Sequence, residues 1–267
     1  MATAKKTNDT KEIEILRISQ NEVEFCILGL TPVILNRMSE KARRELLLPR
    51  KKTKSEREST LKHNPYLEFR ASAYRSADPK CPTLLLAPCN AFKASMRNAA
   101  LDIPGSASKA QIGRLAYVVG DYQPIFGIPK LFMSIVRSAD INRTPDVRTR
   151  VIVPEWAARI RVRYVTPNLR EQVVANLVAG AGITQGLGDW RTEKGKGDYG
   201  QFQLVDQNDP EFLRICAEQG REPQVEALRT PQCYDTESAE LLTWFDEETK
   251  ARGFGDVSDR DEREYAA

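Results

Sequence analysis

Between Arg159 and Val165 cationic and apolar side chains alternate without interruption. A period of two places Ile160, Val162 and Tyr164 on one face of an extended strand and Arg159, Arg161 and Arg163 on the other. One face can pack on helices. The opposite face carries a guanidinium ladder, and like charges side by side need a counter-charge, supplied by carboxylates of a neighbouring strand or by phosphates. Thr166-Pro167-Asn168 then ends the strand, and Asn168 and Glu171 stand at the spacing of a helix-capping pair. The spacing predicts a helix from about Leu169 to Ala179 with Leu169, Val173, Val174, Leu177 and Val178 as its buried stripe. Gln201 to Val205 resumes an extended pattern. The unit reads strand, helix, loop, strand.

That loop holds seven of the chain's fifteen glycines: Gly180, Gly182, Gly186, Gly188, Gly195, Gly197 and Gly200. Ordered glycine costs backbone entropy, so the cluster implies either positive φ angles or close approach of something large. Trp190, Arg191, Lys194, Lys196 and Tyr199 lie in the same window, and cations with aromatic rings are the contacts that single-stranded nucleic acid offers to a protein. The rings can equally anchor the loop to the core.

Upstream, Glu12–Ser19 and Val23–Leu35 have strand-like alternation, with Gln20-Asn21 between them as a turn, and together read as an opening hairpin. Residues 37–82 read as a helical and irregular basic insertion. Leu84–Ala87 is a short apolar strand, and Pro88–Leu101 a helix with Phe92, Met96 and Ala99 or Ala100 inward. Lys93 and Arg97 then sit one turn apart on its outer face. Leu131–Val136 and Arg150–Val153 are strand-like, joined by the polar stretch 137–149. Helices are expected over 209–219 and 237–252, followed by a polar tail expected to be mobile.

The chain's 267 residues and 41% hydrophobic content suffice for one substantial core. No apolar run approaches membrane-spanning length, the amino terminus lacks the apolar stretch of a secretory signal, and the chain reads as cytoplasmic. Five cysteines at irregular spacing suggest neither a disulfide framework nor a zinc site, so no metal is expected. The formal charge of +3 conceals a division: residues 37–75 carry 12 Lys/Arg against 5 Asp/Glu, and residues 206–267 carry 7 against 17. A basic middle with an acidic end fits a polyanion binder; two solvated faces are the plain alternative.

No catalytic set stands out and no cofactor is expected. Gly195-Lys-Gly-Asp-Tyr-Gly spells GxGxxG but precedes a strand, the reverse of a dinucleotide site. A GxxxxGK[ST] phosphate loop is absent. His63, the only histidine, reads as a surface group, and no pair among Asp121, Asp140, Asp146, Asp189 and Asp198 has a spacing that marks a two-metal nuclease.

Three stretches carry a family resemblance. Phe25-Cys-Ile-Leu-Gly-Leu-Thr-Pro-Val-Ile-Leu, Leu85-Leu-Ala-Pro-Cys-Asn-Ala-Phe-Lys-Ala-Ser-Met-Arg, and Gly186-Leu-Gly-Asp-Trp-Arg-Thr-Glu-Lys-Gly-Lys-Gly-Asp-Tyr-Gly-Gln-Phe occur in the order of the corresponding segments of the RAMP (repeat-associated mysterious protein) superfamily. The chain most resembles the backbone subunits of CRISPR effector complexes. Cys89-Asn90-Ala91 departs from the family's Gly-Ser-Ser, and the basic insertion and acidic end have no counterpart.

The resemblance implies an α+β, ferredoxin-like (RRM-like) antiparallel sheet with helices on one face. Residues 1–36 and 83–205 would form the core, 37–82 a thumb- or finger-like insertion, and 206–267 an acidic helical extension. It implies a non-catalytic subunit that binds single-stranded RNA, with DNA as the open alternative, and assembles with copies of itself and other effector subunits. Lys93, Arg97, Arg159, Arg161, Arg163, Trp190, Arg191, Lys194, Lys196 and Tyr199 would contact the strand, with Gly186, Gly188, Gly195, Gly197 and Gly200 shaping the loop. Two alternatives stay open: an endoribonuclease using His63 or a lysine, and a phage or mobile-element protein that mimics an effector subunit.

Overall fold

The computed structural model describes residues 17–48, 61–137, 145–194, 197–254 and 257–258. The start of the expected first strand, the basic run 49–60, the 138–144 connection, Gly195, Lys196 and the end of the tail lie outside them. The architecture is mixed α+β, built on two antiparallel sheets.

The alternating arginine segment forms β9 (Ala157–Thr166), with Ile160, Val162 and Tyr164 buried. β9 pairs with β1 (Ser19–Gly29) along ten consecutive partners, from Ser19 opposite Thr166 to Leu28 opposite Ala157. β10 (Phe202–Val205) flanks β1 on its other side, and β6 (Tyr122–Phe126) pairs with β9. Short strands extend the sheet: β4 (Leu85–Pro88) pairs β6, β3 (Tyr74–Arg75) pairs β4, and β5 (Ala116–Val118) pairs the far end of β9. The order is β10-β1-β9-β6-β4-β3. A second sheet of order β2-β8-β7 joins β2 (Val33–Leu35), β7 (Lys130–Arg137) and β8 (Pro145–Val153).

No hairpin turn lies at Gln20-Asn21. Both residues are within β1, opposite Val165 and Tyr164. The polar residues that resembled a turn are the solvent-exposed end of a continuous strand. The chain breaks instead at Leu30-Thr31-Pro32, where Pro32 has no N–H for a ladder and β2 leaves for the second sheet. Gly29 is required there: a Cβ would lie 2.3 Å from the indole of Trp156, which is fully buried and donates Nε1–H to the Thr31 carbonyl at 2.9 Å.

Helix α1 (Glu40–Leu47) precedes the undescribed basic run, and α2 (Pro65–Ala71) follows it. α3 (Cys89–Ala99) buries Phe92, Met96 and Ala99 at helical spacing, as expected, and α4 (Lys109–Leu115) carries a complete Ser108/Gln111 capping box. α5 runs Glu171–Gly180 and passes into a π-turn, Ala181–Gln185. Its N-cap is Arg170, with no side-chain capping bond, so the Asn168/Glu171 pair does not form. Leu169, 1% exposed, is drawn into the core ahead of the helix and shifts its start.

The basic and acidic segments are not appendages. Tyr66 and Phe69 of α2 join the central core, as do Leu228 of α7 (Arg221–Arg229) and Leu242 of α8 (Thr236–Ala251). Gln224 of α7, fully buried, accepts from the Leu84 and Leu85 amides and donates to the Ile125 and Gly127 carbonyls, bridging β4 and β6. α6 (Pro210–Glu218) lays Phe212 and Ile215 over Cys26, Leu28 and Ala157, on the arginine side of the main sheet. No helix among the described residues is long and apolar enough to cross a membrane.

Candidate nucleic-acid interface

The arginine ladder has counter-charges of its own. Arg161 and Arg163 both reach Glu22 on β1, at 3.1 and 3.0 Å, and Arg159 lies 3.8 Å from Glu24. The pairing follows from register: Glu22 stands opposite Arg163 and Glu24 opposite Arg161. These side chains are 46%, 57% and 38% exposed for Arg159, Arg161 and Arg163, so the pairs are weak and solvent-screened and leave the cations able to exchange partners. The Glu22 hydrogen bonds, with Tyr117 next, raise the Arg163 pKa. Tyr117 joins the ladder to α3: Arg163 lies 5.8 Å and Lys93 5.9 Å from its ring centre. Arg97 is exposed beside Gly113.

The glycine-rich segment is docked at both ends. Leu187 N–H donates to the Gly200 carbonyl, Asp189 N–H to the Ile34 carbonyl and Gly200 N–H to the Pro32 carbonyl, all at 2.8–2.9 Å. Gly188 and Gly200 adopt φ of 82° and 74°, and a Cβ at either would strike a backbone oxygen, Ile34 O at 2.4 Å and Leu187 O at 1.8 Å. Glycine here permits a loop to lie flat on β2. Gly186 has φ 69° and its carbonyl accepts from Ser95 Oγ of α3 at 3.0 Å. A Cβ at Gly197 would meet the Trp190 carbonyl at 2.7 Å.

Trp190 and Tyr199 face the second sheet. Their ring centres are 6.0 and 6.4 Å from that of Phe132, which also meets Tyr234 at 5.7 Å. Burial raises the Tyr199 pKa. Trp190 adopts φ 50°, rare for a residue with a bulky side chain, which the surrounding ring contacts hold in place. Lys194 is in a 3-10 turn, Thr192–Lys194.

Behind Trp190 lies a buried charge. Arg150 of β8 is 2% exposed; it donates to Asp189 Oδ2 at 2.5 Å and to Ser134 Oγ at 2.6 Å, and its guanidinium lies 4.5 Å from the Trp190 ring centre. Burial lowers its pKa, opposed by Asp189. The same Asp189 accepts from Asn36 Nδ2 and from the Trp190 amide, both at 3.0 Å.

These contacts bring three distant stretches around one cleft of about 330 Å³. Leu35 and Asn36 come from the end of β2 and the residue after it, Ala87 and Pro88 from the end of β4, Asn90 and Ala91 from the first turn of α3, and Leu187, Gly188, Asp189 and Arg191 from the glycine segment; Tyr74 completes the wall. α3 begins there with Pro88 as N-cap, no side-chain capping bond and no acidic residue in its first turn. Its amide dipoles therefore favour an anion in the cleft. Arg191, at the rim, pairs with Glu193 at 2.6 Å and donates to the Gly188 carbonyl at 3.0 Å.

The structure thus distributes the sequence-predicted residues over two places. Arg159, Arg161, Arg163 and Lys93 gather around Glu22, Glu24 and Tyr117, whereas Arg191 and the glycines form the cleft; among the described residues the contacts of the two groups share no partner. Gly195, Lys196 and the side chain of Lys194 are outside the description. Asn36, Asn90, Arg150 and Asp189 went unread as site residues. Asp189 appeared as a loop carboxylate, and no local pattern links it to an arginine 39 positions earlier.

His63 is held at both nitrogens, by Glu68 at 2.6 Å and Asp146 at 3.0 Å, and Lys62 also reaches Asp146 at 2.8 Å. The Glu68 hydrogen bond raises the His63 pKa against the opposing effect of burial. Burial would raise the Asp146 pKa, but Lys62 and His63 together hold it below the ordinary value. Among the described residues no group of three or more His, Cys, Asp or Glu side chains is arranged to hold a metal ion, and all five cysteines are free.

No protein-family model and no curated protein matches the chain. Among solved structures it overlaps a chain of the Type III-B Cmr-beta complex bound to cognate target RNA, determined by cryo-EM, at 15% identity and a TM-score of 0.33. That overlap covers 70% of this chain and 59% of the other, so this chain spans less than two thirds of its length. It also overlaps Cmr6 from Pyrococcus furiosus, in a crystal structure, at 10% identity and a TM-score of 0.34, covering 70% of this chain and 98% of that one. The likeness is distant and carries no weight for function.

Proposed function

We propose that the protein is a non-catalytic subunit that binds single-stranded RNA and assembles along it with further copies of itself and with other effector subunits. The observation that carries this reading is the convergence of three separated stretches, each resembling a RAMP segment, on one cleft. The strand order β10-β1-β9-β6, with α3 between β1 and β6 and α5 between β9 and β10, is that expected of a ferredoxin-like βαββαβ unit. In this reading a phosphate lies at the start of α3 and Arg191 supplies a nearby cation. The exposed ladder offers the strand a second, weaker contact as it leaves the cleft. The basic insertion, residues 37–82, would serve as the thumb.

The endoribonuclease alternative finds less support, because His63 already spends both ring nitrogens on carboxylates. The test is direct. Freshly purified protein is measured for its 260/280 absorbance ratio and elution volume before and after ribonuclease treatment, then titrated with a labelled oligoribonucleotide at several salt concentrations. The expected result is a nucleoprotein oligomer that shrinks on digestion and an affinity that falls steeply with salt. A monomer with no affinity for RNA would overturn the proposal.

A further inference from the structure

A carboxylate in a cleft meant for a polyanion repels the phosphates it should welcome, unless it meets a hydrogen-bond donor. Asp189 is such a carboxylate. It lines the cleft and its side chain is 34% exposed. Its geometry is fixed from behind by Arg150, itself 2% exposed, and from the sides by Asn36 and the Trp190 amide. An ionised carboxylate has about four lone-pair sites, and these contacts occupy three: two on Oδ2 and one on Oδ1. One acceptor site on Oδ1 is left over.

A nucleic-acid strand presents few neutral donors outside its bases, and the sugar 2′-hydroxyl is the one that every ribonucleotide repeats. The cleft, about 330 Å³, lies at the lower end of the range of small-ligand pockets and suits a single nucleotide unit. We propose that Asp189 is the residue by which this cleft distinguishes ribose from deoxyribose, Oδ1 accepting a hydrogen bond from a 2′-hydroxyl while Arg150 holds the carboxylate in position. The proposal rests on the RNA-binding reading above and adds to it the chemical basis of a preference for RNA over DNA. Burying an arginine behind one loop carboxylate is expensive, and a fixed acceptor at the cleft wall gives that expense a use.

The test titrates the full chain by fluorescence anisotropy with one short oligouridylate in three forms: ribose, 2′-deoxyribose and 2′-O-methyl ribose. The wild type should favour ribose over both others by roughly tenfold or more, the loss expected for a hydrogen bond to a charged group. In Arg150→Met/Asp189→Leu, which removes the acceptor without stranding a buried charge, the preference should collapse toward unity. Should that variant fail to fold, the wild type is titrated with the 2′-fluoro oligouridylate, which keeps a ribose-like sugar but has no hydrogen to donate, and its affinity should fall to that of the deoxyribose strand. Equal wild-type affinity for ribose and deoxyribose strands overturns this proposal and leaves the RNA-binding reading standing. So does a preference that persists in the folded variant. Absence of binding to any of the three strands would instead overturn the binding reading itself.

Discussion

The arginine ladder and the glycine-segment cleft both carry charge, yet they spend it differently. On the ladder, three guanidinium groups lie in the open against two carboxylates of the next strand, each pair exposed and replaceable. At the cleft a single guanidinium is sealed under a tryptophan, with its carboxylate turned to the rim. Density of charge in the sequence therefore says little about where binding energy resides. An exposed pair is screened and entropically loose, whereas a buried pair fixes geometry at high cost.

That contrast should be largest in stability. Arg150→Ala, which leaves Asp189 without its counter-ion and opens a void under Trp190, should destabilise the fold by about 3–5 kcal/mol in guanidinium melts, while Arg161→Ala should change it by less than about 1 kcal/mol. Similar losses at both positions would erase the distinction. Next come the glycines. Gly200→Ala must push its Cβ away from the Leu187 carbonyl and should cost at least about 1–3 kcal/mol, whereas Gly105→Ala, with φ 71° and nothing within 4 Å, should cost about 1 kcal/mol. Thermal melts of the two variants read the difference.

Arg161→Glu combined with Lys93→Glu should lower RNA affinity and flatten its salt dependence while leaving the melting temperature nearly unchanged, because it removes one exposed and one half-buried cation and no fully buried contact. The smallest effect concerns pH. The His63 pKa is raised by Glu68, so its contribution to stability is full below about pH 6.5 and is lost as pH rises through the elevated folded value. The Asp146 pKa is lowered, so its contribution is present above its ordinary value near 3.8 and is lost as pH falls through the depressed one. Melting curves of wild type and His63→Gln should converge at alkaline pH and separate in mildly acid solution.

Much of the fold was legible because it is periodic. β9 announced itself by strict alternation and α3 by the spacing of Phe92, Met96 and Ala99. β6 was not, since Tyr122-Gln-Pro-Ile-Phe is short and carries Pro124, which reads as a strand breaker although it pairs with Leu86. α7 was hidden by Pro223 and by Gln224, an amide whose burial makes sense only once β4 and β6 surround it. The glycine window was recognised as a place needing unusual backbone, and three of its described members have positive φ. The close neighbours it accommodates belong to the protein itself: Ile34 of β2 at Gly188, Phe202 of β10 at Gly182 and Leu187 at Gly200. For the site, local pattern could identify cations but not their partners: Glu22 meets Arg163, and Arg150 meets Asp189, only through tertiary pairing.

Whether the cleft or the ladder holds the strand is decided by one titration, in which Arg191→Glu and Arg161→Glu are each compared with wild type for affinity to the same oligoribonucleotide. A dominant cleft predicts a loss of about tenfold or more for Arg191→Glu and a smaller one for Arg161→Glu. An unchanged affinity in Arg191→Glu alongside a large loss in Arg161→Glu would contradict it.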